Sequence, residues 1–216
     1  MEVILLATSN VAKLERLRWL VEGLPLCACT ATDLGIEPPA VEEHGPDFMT
    51  NAAAKALAWS RVGQGLLTLA SDGGVEIPAL GEAWIALRTR RNAGPAATDA
   101  ERIQHLLDLM QDLHGPARRT LWHEALALAR DNVLLHTWSA SGDGGEIVPD
   151  ASSVSKMTSA FWTERVRFYP EAGKLYCELS PQELVAVQSV WPRLRAEVRR
   201  TLLGSLPGEG RATSGL

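Results

Sequence analysis

The sequence predicts an α/β protein. Three observations carry this. Apolar runs short enough to be strands alternate with amphipathic stretches. The amino-terminal run V-I-L-L-A is continuous, as in a strand buried on both faces. A second run, L-L-T-L-A-S-D-G-G-V at 66–75, carries a lone acid, Asp72. A carboxylate at the end of a core strand is costly unless something positive meets it.

In chain order, Val3–Ala7 reads as a strand that ends on Thr8-Ser9-Asn10. Asn10 is placed to cap a helix over Val11–Glu22, where Lys13, Leu14, Leu17, Leu20 and Val21 recur at helical spacing. Strand, polar turn and helix start together suit an anion, because backbone N–H groups face it and Lys13 sits on the first turn. Leu24–Thr30 reads as a weaker strand, and Pro38-Pro39 as a turn. Pro46–Arg61 is an alanine-rich helix.

Leu66–Ala70 reads as a strand that breaks on Gly73-Gly74, with Val75–Leu80 as a short arm beyond. Ala83–Arg91 holds Arg88, Arg90 and Arg91. Thr98, with Glu101 three residues on, forms a capping-box pattern opening a helix over Asp99–Leu113. Arg118–Ala129 and Asn132–Ser139 read as paired strands, although L-W-H-E-A-L-A-L-A also fits a helix. Ser139–Gly145 reads as a loop, Glu146–Pro149 as a short strand and Ser152–Glu164 as irregular. Arg165–Tyr169 and Lys174–Leu179 read as strands about a Pro170–Gly173 turn. Ser180 and Glu183 make a second capping box for a final helix that Pro192 bends. Residues 1–203 are expected to form one domain, and 204–216 a disordered tail.

Composition narrows the function. The 216 residues are 46% hydrophobic and 22% charged, an ordinary globular balance. A net charge of −5 argues against a binder of nucleic-acid polymer. Three cysteines, two of them in C-x-C, do not complete a zinc set and read as small core residues in a reducing compartment. The five histidines show no ligand spacing. No apolar run reaches the length of a membrane span. Met1–Ala7 runs into T-S-N-V-A-K without a basic segment or cleavage site, so a cytoplasmic protein is expected.

Five stretches in register resemble the inosine triphosphate pyrophosphatase family. They are I-L-L-A-T-S-N-V-A-K; Glu42-Glu43 followed by Gly45, Phe48, Asn51-Ala52 and Lys55-Ala56; A-S-D-G-G-V-E-I-P-A-L-G against the family's A-D-D-S-G-L-x-V-x-x-L-G; Arg88 near the family's S-A-R; and F-Y-P-E-A-G-K-L-Y-C-E-L. They run from residue 4 to 179. The resemblance implies an elongated mixed sheet in two lobes, flanked by helices, with a deep central cleft, usually in a homodimer. It implies hydrolysis of a small-molecule nucleoside triphosphate to monophosphate and pyrophosphate with Mg²⁺. Carried over, Thr8, Ser9, Asn10 and Lys13 form the phosphate cradle, and Glu43 and Asp72 are the magnesium ligands. Lys55 supports the phosphates or pairs with the carboxylates, and Lys174 contacts the nucleotide. Lys13, Glu43 and Asp72 are the expected catalytic set. Arg88 is either a phosphate contact or part of a solvated run with Arg90 and Arg91.

Four departures stand against the likeness. The family's paired acids read Ser71-Asp72, and a serine cannot act as a base near neutral pH. The base-reading F-G-Y-D-P aligns with Phe161-Trp162-Thr163-Glu164-Arg165, keeping only the phenylalanine and putting Glu for Asp. The late S-H-R falls near Gln188-Ser189-Val190, and no histidine follows His136. S-A-R-Y reads Ala86-Leu87-Arg88-Thr89. The expectation is a retained phosphate half and a rebuilt base half, with Phe161 and Glu164 as candidate base contacts and Trp162 available for stacking. The alternative is a catalytically impaired relative that still binds a nucleotide or phosphate ligand.

Overall fold

A computed structural model describes residues 1–157 and 161–205, the side chain of Ser205 excepted. The chain folds as β1 (Glu2–Leu6), α1 (Val11–Val21), β2 (Leu26–Cys29), α2 (Phe48–Val62), β3 (Leu67–Glu76), α3 (Asp99–Leu109), β4 (Arg119–Arg130), β5 (Val133–Ile147), β6 (Arg167–Tyr169), β7 (Lys174–Leu175), α4 (Pro181–Ala186) and α5 (Val190–Ser205). The α/β class expected from the sequence is the class observed.

The strands make one sheet in the order β2-β1-β3-β4-β5-β6-β7. β1 pairs in parallel with β2 and β3, and every later pairing is antiparallel. α1 and α5 cover one face. There Leu17, Leu20, Trp191, Leu194 and Val198 pack with Ile4, Leu69, Leu126 and Trp138. α2 covers the other, with Ala52, Ala56 and Trp59 against Leu5, Ala70, Ala125 and Ala127. The small alanines bring the helix close to the sheet. α3 and its C-cap Met110 seal the far end, with Ile103, Leu106 and Met110 against Val75, Ile147 and Trp162.

The capping signals hold. Asn10 Oδ1 accepts from Lys13 N at 3.2 Å, and the Thr98–Glu101 and Ser180–Glu183 boxes are both formed.

Several local expectations are corrected. β3 does not break at Gly73-Gly74. Its ladder to β4 is continuous from Thr68↔Ala129 to Glu76↔Leu121, and those pairings outweigh glycine's weak strand preference. The glycines instead give room: a Cβ at Gly74 would lie 2.6 Å from Thr89 Oγ1 and 3.1 Å from the Phe48 ring. Ser139–Gly145 is likewise strand, not loop, because β5 stays paired with β4 through Asp143 and, past a register irregularity, at Glu146. The ambiguous Arg118–Ala129 is strand. Lys174 begins a two-residue strand that turns at once into a 3-10 turn over Tyr176–Glu178. The last helical region is two helices. Gln188 takes φ 52 between α4 and α5, so the break lies there and not at Pro192. α5 runs to Ser205, and the rest of the expected tail lies outside the described residues. Among the described residues, no helix is long and apolar enough to cross a membrane.

Candidate active site

β3 is longer than β1. Their pairing stops at Leu6↔Leu69, and Ala7 N then donates to Leu69 O at 2.8 Å. Beyond Leu69, β3 has a strand partner only on its β4 side. A cavity of ≈ 760 Å³ lies along that uncovered edge. Its walls include the β1–α1 turn, the loop before α2, Lys55 of α2 and the Thr89–Arg91 segment.

Local sequence builds the turn. β1 ends as the apolar run gives out at Ala7. Thr8 Oγ1 accepts from Asn10 N at 3.1 Å, Asn10 caps α1, and the first turn of the helix carries Lys13 toward the edge. Lys13 Nζ lies 3.9 Å from Asp72 Oδ1 and donates to Ser71 O at 3.5 Å.

From the opposite face, α2 delivers two groups one helical turn apart. Lys55 Nζ lies 2.8 Å from Asp72 Oδ1 and 2.8 Å from Glu43 Oε1, and it donates to Ser71 O at 3.4 Å. Asn51 Nδ2 donates to Asp72 Oδ2 at 3.1 Å. Asn51 Oδ1 also accepts from Gly45 N at 2.9 Å, which anchors the loop carrying Glu43. Arg91 reaches Glu43 Oε2 at 3.2 Å. Two cations therefore converge on one buried aspartate and on a free strand-edge carbonyl. Burial disfavours the Lys55 ammonium, but Asp72 and Glu43 outweigh it and hold its pKa above the ordinary lysine value. Burial likewise pushes Glu43 up, and Lys55 and Arg91 more than reverse that, so its pKa is lowered.

The structure thus gathers Thr8, Ser9, Asn10, Lys13, Glu43, Lys55 and Asp72 about one cavity. Ser71 lies beneath it, 1% exposed, and its Oγ has no partner among the described residues. Phe161 also lines the cavity, with Trp162 and Thr163. Three expected residues lie elsewhere. Lys174 pairs with the capping Glu183 at 2.7 Å, because the strand carrying it ends a residue later. Arg88 is exposed and does not line the cavity, whereas Arg90 and Arg91 do. Glu164 is buried in an ion pair with Arg16 at 2.8 Å, and that guanidinium stacks over Tyr176 and Trp191. Trp162 is 6% exposed and packs edge-on against Trp84, so most of its ring belongs to the apolar core.

Among the cavity residues that the sequence did not point to is a buried acid. Glu124 of β4 is 2% exposed, and burial raises its pKa to about 7. Its Oε2 accepts from Trp122 Nε1 at 3.3 Å, while Oε1 has no partner among the described residues. The only hint in the sequence is an acid inside L-W-H-E-A-L-A-L-A.

Hard carboxylate oxygens from Glu43 and Asp72 are the donor type that a divalent cation such as Mg²⁺ takes. Among the described residues, no group of three or more His, Cys, Asp or Glu side chains is already assembled to hold a metal. The donor chemistry fits such an ion, with Lys55 now lying between the two carboxylates.

Sheet, helices and cavity define the class: an α/β protein with a cavity lined by charged side chains against the open edge of a central strand. The family model described as the Ham1 family matches residues 4–187, and the chain belongs to that family. It is 32% identical over 193 residues to a dITP/XTP pyrophosphatase of Erwinia tasmaniensis, covering 87% of this chain and 88% of that one. It is 30% identical over 206 residues to the dITP/XTP pyrophosphatase of Thermus thermophilus, covering 95% of each. The structure of a HAM1 protein from Coxiella burnetii superposes with a TM-score of 0.75 at 29% identity, covering 95% of this chain and all of that one.

Proposed function

We propose that this protein hydrolyses a nucleoside triphosphate to the monophosphate and pyrophosphate. The carrying observation is the convergence of Lys13 and Lys55 on Asp72 beside the amino-terminus of α1. The relatives named dITP/XTP pyrophosphatases support the same reading. A triphosphate is recognised by ammonium groups and by helix N–H groups, and both face this cavity. Thr8, Ser9 and Asn10 shape the turn that presents them. Water attacks the α-phosphorus, the bond to the bridging oxygen breaks, and pyrophosphate departs with the electron pair. The water's proton passes to solvent or to a neighbouring carboxylate.

Glu43 and Asp72 are the residues that would hold Mg²⁺. The ion would supply charge neutralisation to the phosphates. Lys55 then has a role of its own. It holds both carboxylates in place, and its ammonium would meet the phosphates once a cation took the carboxylates.

The base preference is read as altered from that of the inosine triphosphate pyrophosphatases. Glu164 is consumed by Arg16, and the S-H-R segment is absent. A site without those groups loses the discrimination they supply. Release of pyrophosphate from a panel of purine and pyrimidine triphosphates with Mg²⁺ tests activity and preference together. No release from any member would sink the reading. Ser71 favours a second reading, an impaired relative that binds nucleotide without efficient turnover. Tight nucleotide binding in calorimetry without pyrophosphate release would establish that one.

The wider expectations rest on the likeness and on the charge. They are one domain over residues 1–203, a homodimer, and a cytoplasmic protein whose partner is a small nucleotide, not a nucleic-acid polymer or a membrane.

A further inference from the structure

The acid that the resemblance leads one to expect at 71 is a serine, yet a carboxylate stands on the same face of the sheet. Glu124 is opposite Gly73 in the β3–β4 ladder, and Ser71 lies two residues back along β3. Directly opposed residues of an antiparallel pair share a face, as do positions i and i+2 of one strand. Ser71, Gly73 and Glu124 therefore share one face.

Glu124 starts on the wrong side of β3 to reach the cavity, since β4 flanks one edge of β3 and the cavity lies along the other. It gets there by crossing over Gly73. A Cβ at residue 73 would lie 2.6 Å from the Glu124 carboxyl carbon, closer still to Oε2, and 2.6 Å from the backbone oxygen of His123. The passage exists only because residue 73 has no side chain. In the family motif quoted above, that position is a serine and position 71 an aspartate. Here Ser71, Gly73 and Glu124 together move the carboxylate from one strand to the next.

The carboxylate also arrives with an oxygen to spare. Each oxygen of Asp72 and Glu43 already has a partner: Lys55 and Asn51 for Asp72, Lys55 and Arg91 for Glu43. Glu124 Oε1 has none among the described residues. A fully buried, unpaired carboxylate oxygen in a polar cavity calls for a positive group.

We infer that Glu124, reaching over Gly73, is a further ligand of the divalent cation bound with the triphosphate, a carboxylate on the sheet face where the resemblance puts an acid at residue 71. This deepens the proposed function and rests on it for the identity of the cation. The assignment concerns where a metal binds, so it can be tested without turnover.

The test is Mn²⁺ binding to the metal-stripped full chain, followed by calorimetry and by electron paramagnetic resonance of the free ion. Glu124→Gln keeps the shape and removes the charge. It is expected to weaken Mn²⁺ by a factor on the order of ten to a hundred. Ser71→Asp added to Glu124→Gln should restore affinity to within a few-fold, which a misfolded variant could not do. Equal Mn²⁺ affinity in the parent and in Glu124→Gln overturns the inference. So does a parent that binds no Mn²⁺, or a loss that Ser71→Asp fails to recover. If Mn²⁺ binding depends on Glu124 while no triphosphate is cleaved, the inference stands and the proposed activity falls.

Discussion

Lys55 Nζ lies 2.8 Å from Asp72 Oδ1, and the same nitrogen lies 2.8 Å from Glu43 Oε1. One ammonium group thus ties a strand of the central sheet to a loop 29 residues earlier in the chain. Lys55→Ala leaves the buried Asp72 with Asn51 and a more distant Lys13. Breaking a buried pair by removing one partner is strongly destabilising. We expect a loss of about 3 kcal/mol in urea unfolding, with pyrophosphate release falling as well. Unchanged stability would mean that water, not Lys55, meets the carboxylate.

Asp72→Asn keeps the hydrogen bond from Asn51 and removes the charge on which both lysines converge. Metal-dependent pyrophosphate release is expected to fall by a factor on the order of a hundred or more. A variant as active as the parent would remove Asp72 from the metal site.

The buried Glu124 carboxyl makes stability depend on pH. Its pKa is raised from 4.5 to about 7 by burial. A carboxyl with a raised pKa binds an extra proton in the folded state. The associated stability is present below pH 4.5 and is lost as pH rises through about 7. The window is worth roughly 3 kcal/mol. In chelator, the parent should lose stability relative to Glu124→Gln between pH 5 and pH 8 in urea titrations. Parallel pH profiles for the two proteins would show that the carboxyl is not held protonated.

Next to the cavity-lining Phe161–Thr163 segment, Arg16 and Glu164 neutralise each other at 2.8 Å beside two aromatic rings. Glu164→Gln weakens that clamp without emptying the space. Steady-state kinetics across the triphosphate panel should show KM shifting more than kcat, because the phosphate end is untouched. A fall in kcat alone would place Glu164 close to the chemistry.

Thr98→Ala removes one half of a formed capping box at the start of α3. The expected cost is about 1 kcal/mol, or roughly 2–4 °C in Tm for a domain of this size. Activity should not change, since Thr98 does not line the cavity.

What could be read from the sequence was local. Thr8, Ser9, Asn10 and Lys13 sit within six residues, so one strand–turn–helix unit places them all. The capping boxes are legible for the same reason. Gly73-Gly74 and the Gly/Ser stretch at 139–145 read as breaks because glycine weakens an isolated strand. Twelve-residue β4 pairs with both segments and overrides that preference. Lys174 directly follows a tight turn as the motif requires, but Glu183 from the next capping box takes its charge. Glu124 was illegible because its position depends on the absence of a side chain across the ladder, 51 residues away in sequence.

The uncovered edge of β3 carries one more consequence. A strand with unpaired backbone groups invites a strand from another chain. Here Lys13 and Lys55 cap Ser71 O, while Thr89 Oγ1 and Trp84 Nε1 bond Val75 N and Val75 O. Three of these side chains, Lys13, Lys55 and Thr89, line the cavity, and together with Trp84 they guard the edge against a foreign strand. Variants that strip both lysines would be prone to aggregate as well as to lose their ligand, and solubility would report that failure before any assay of turnover.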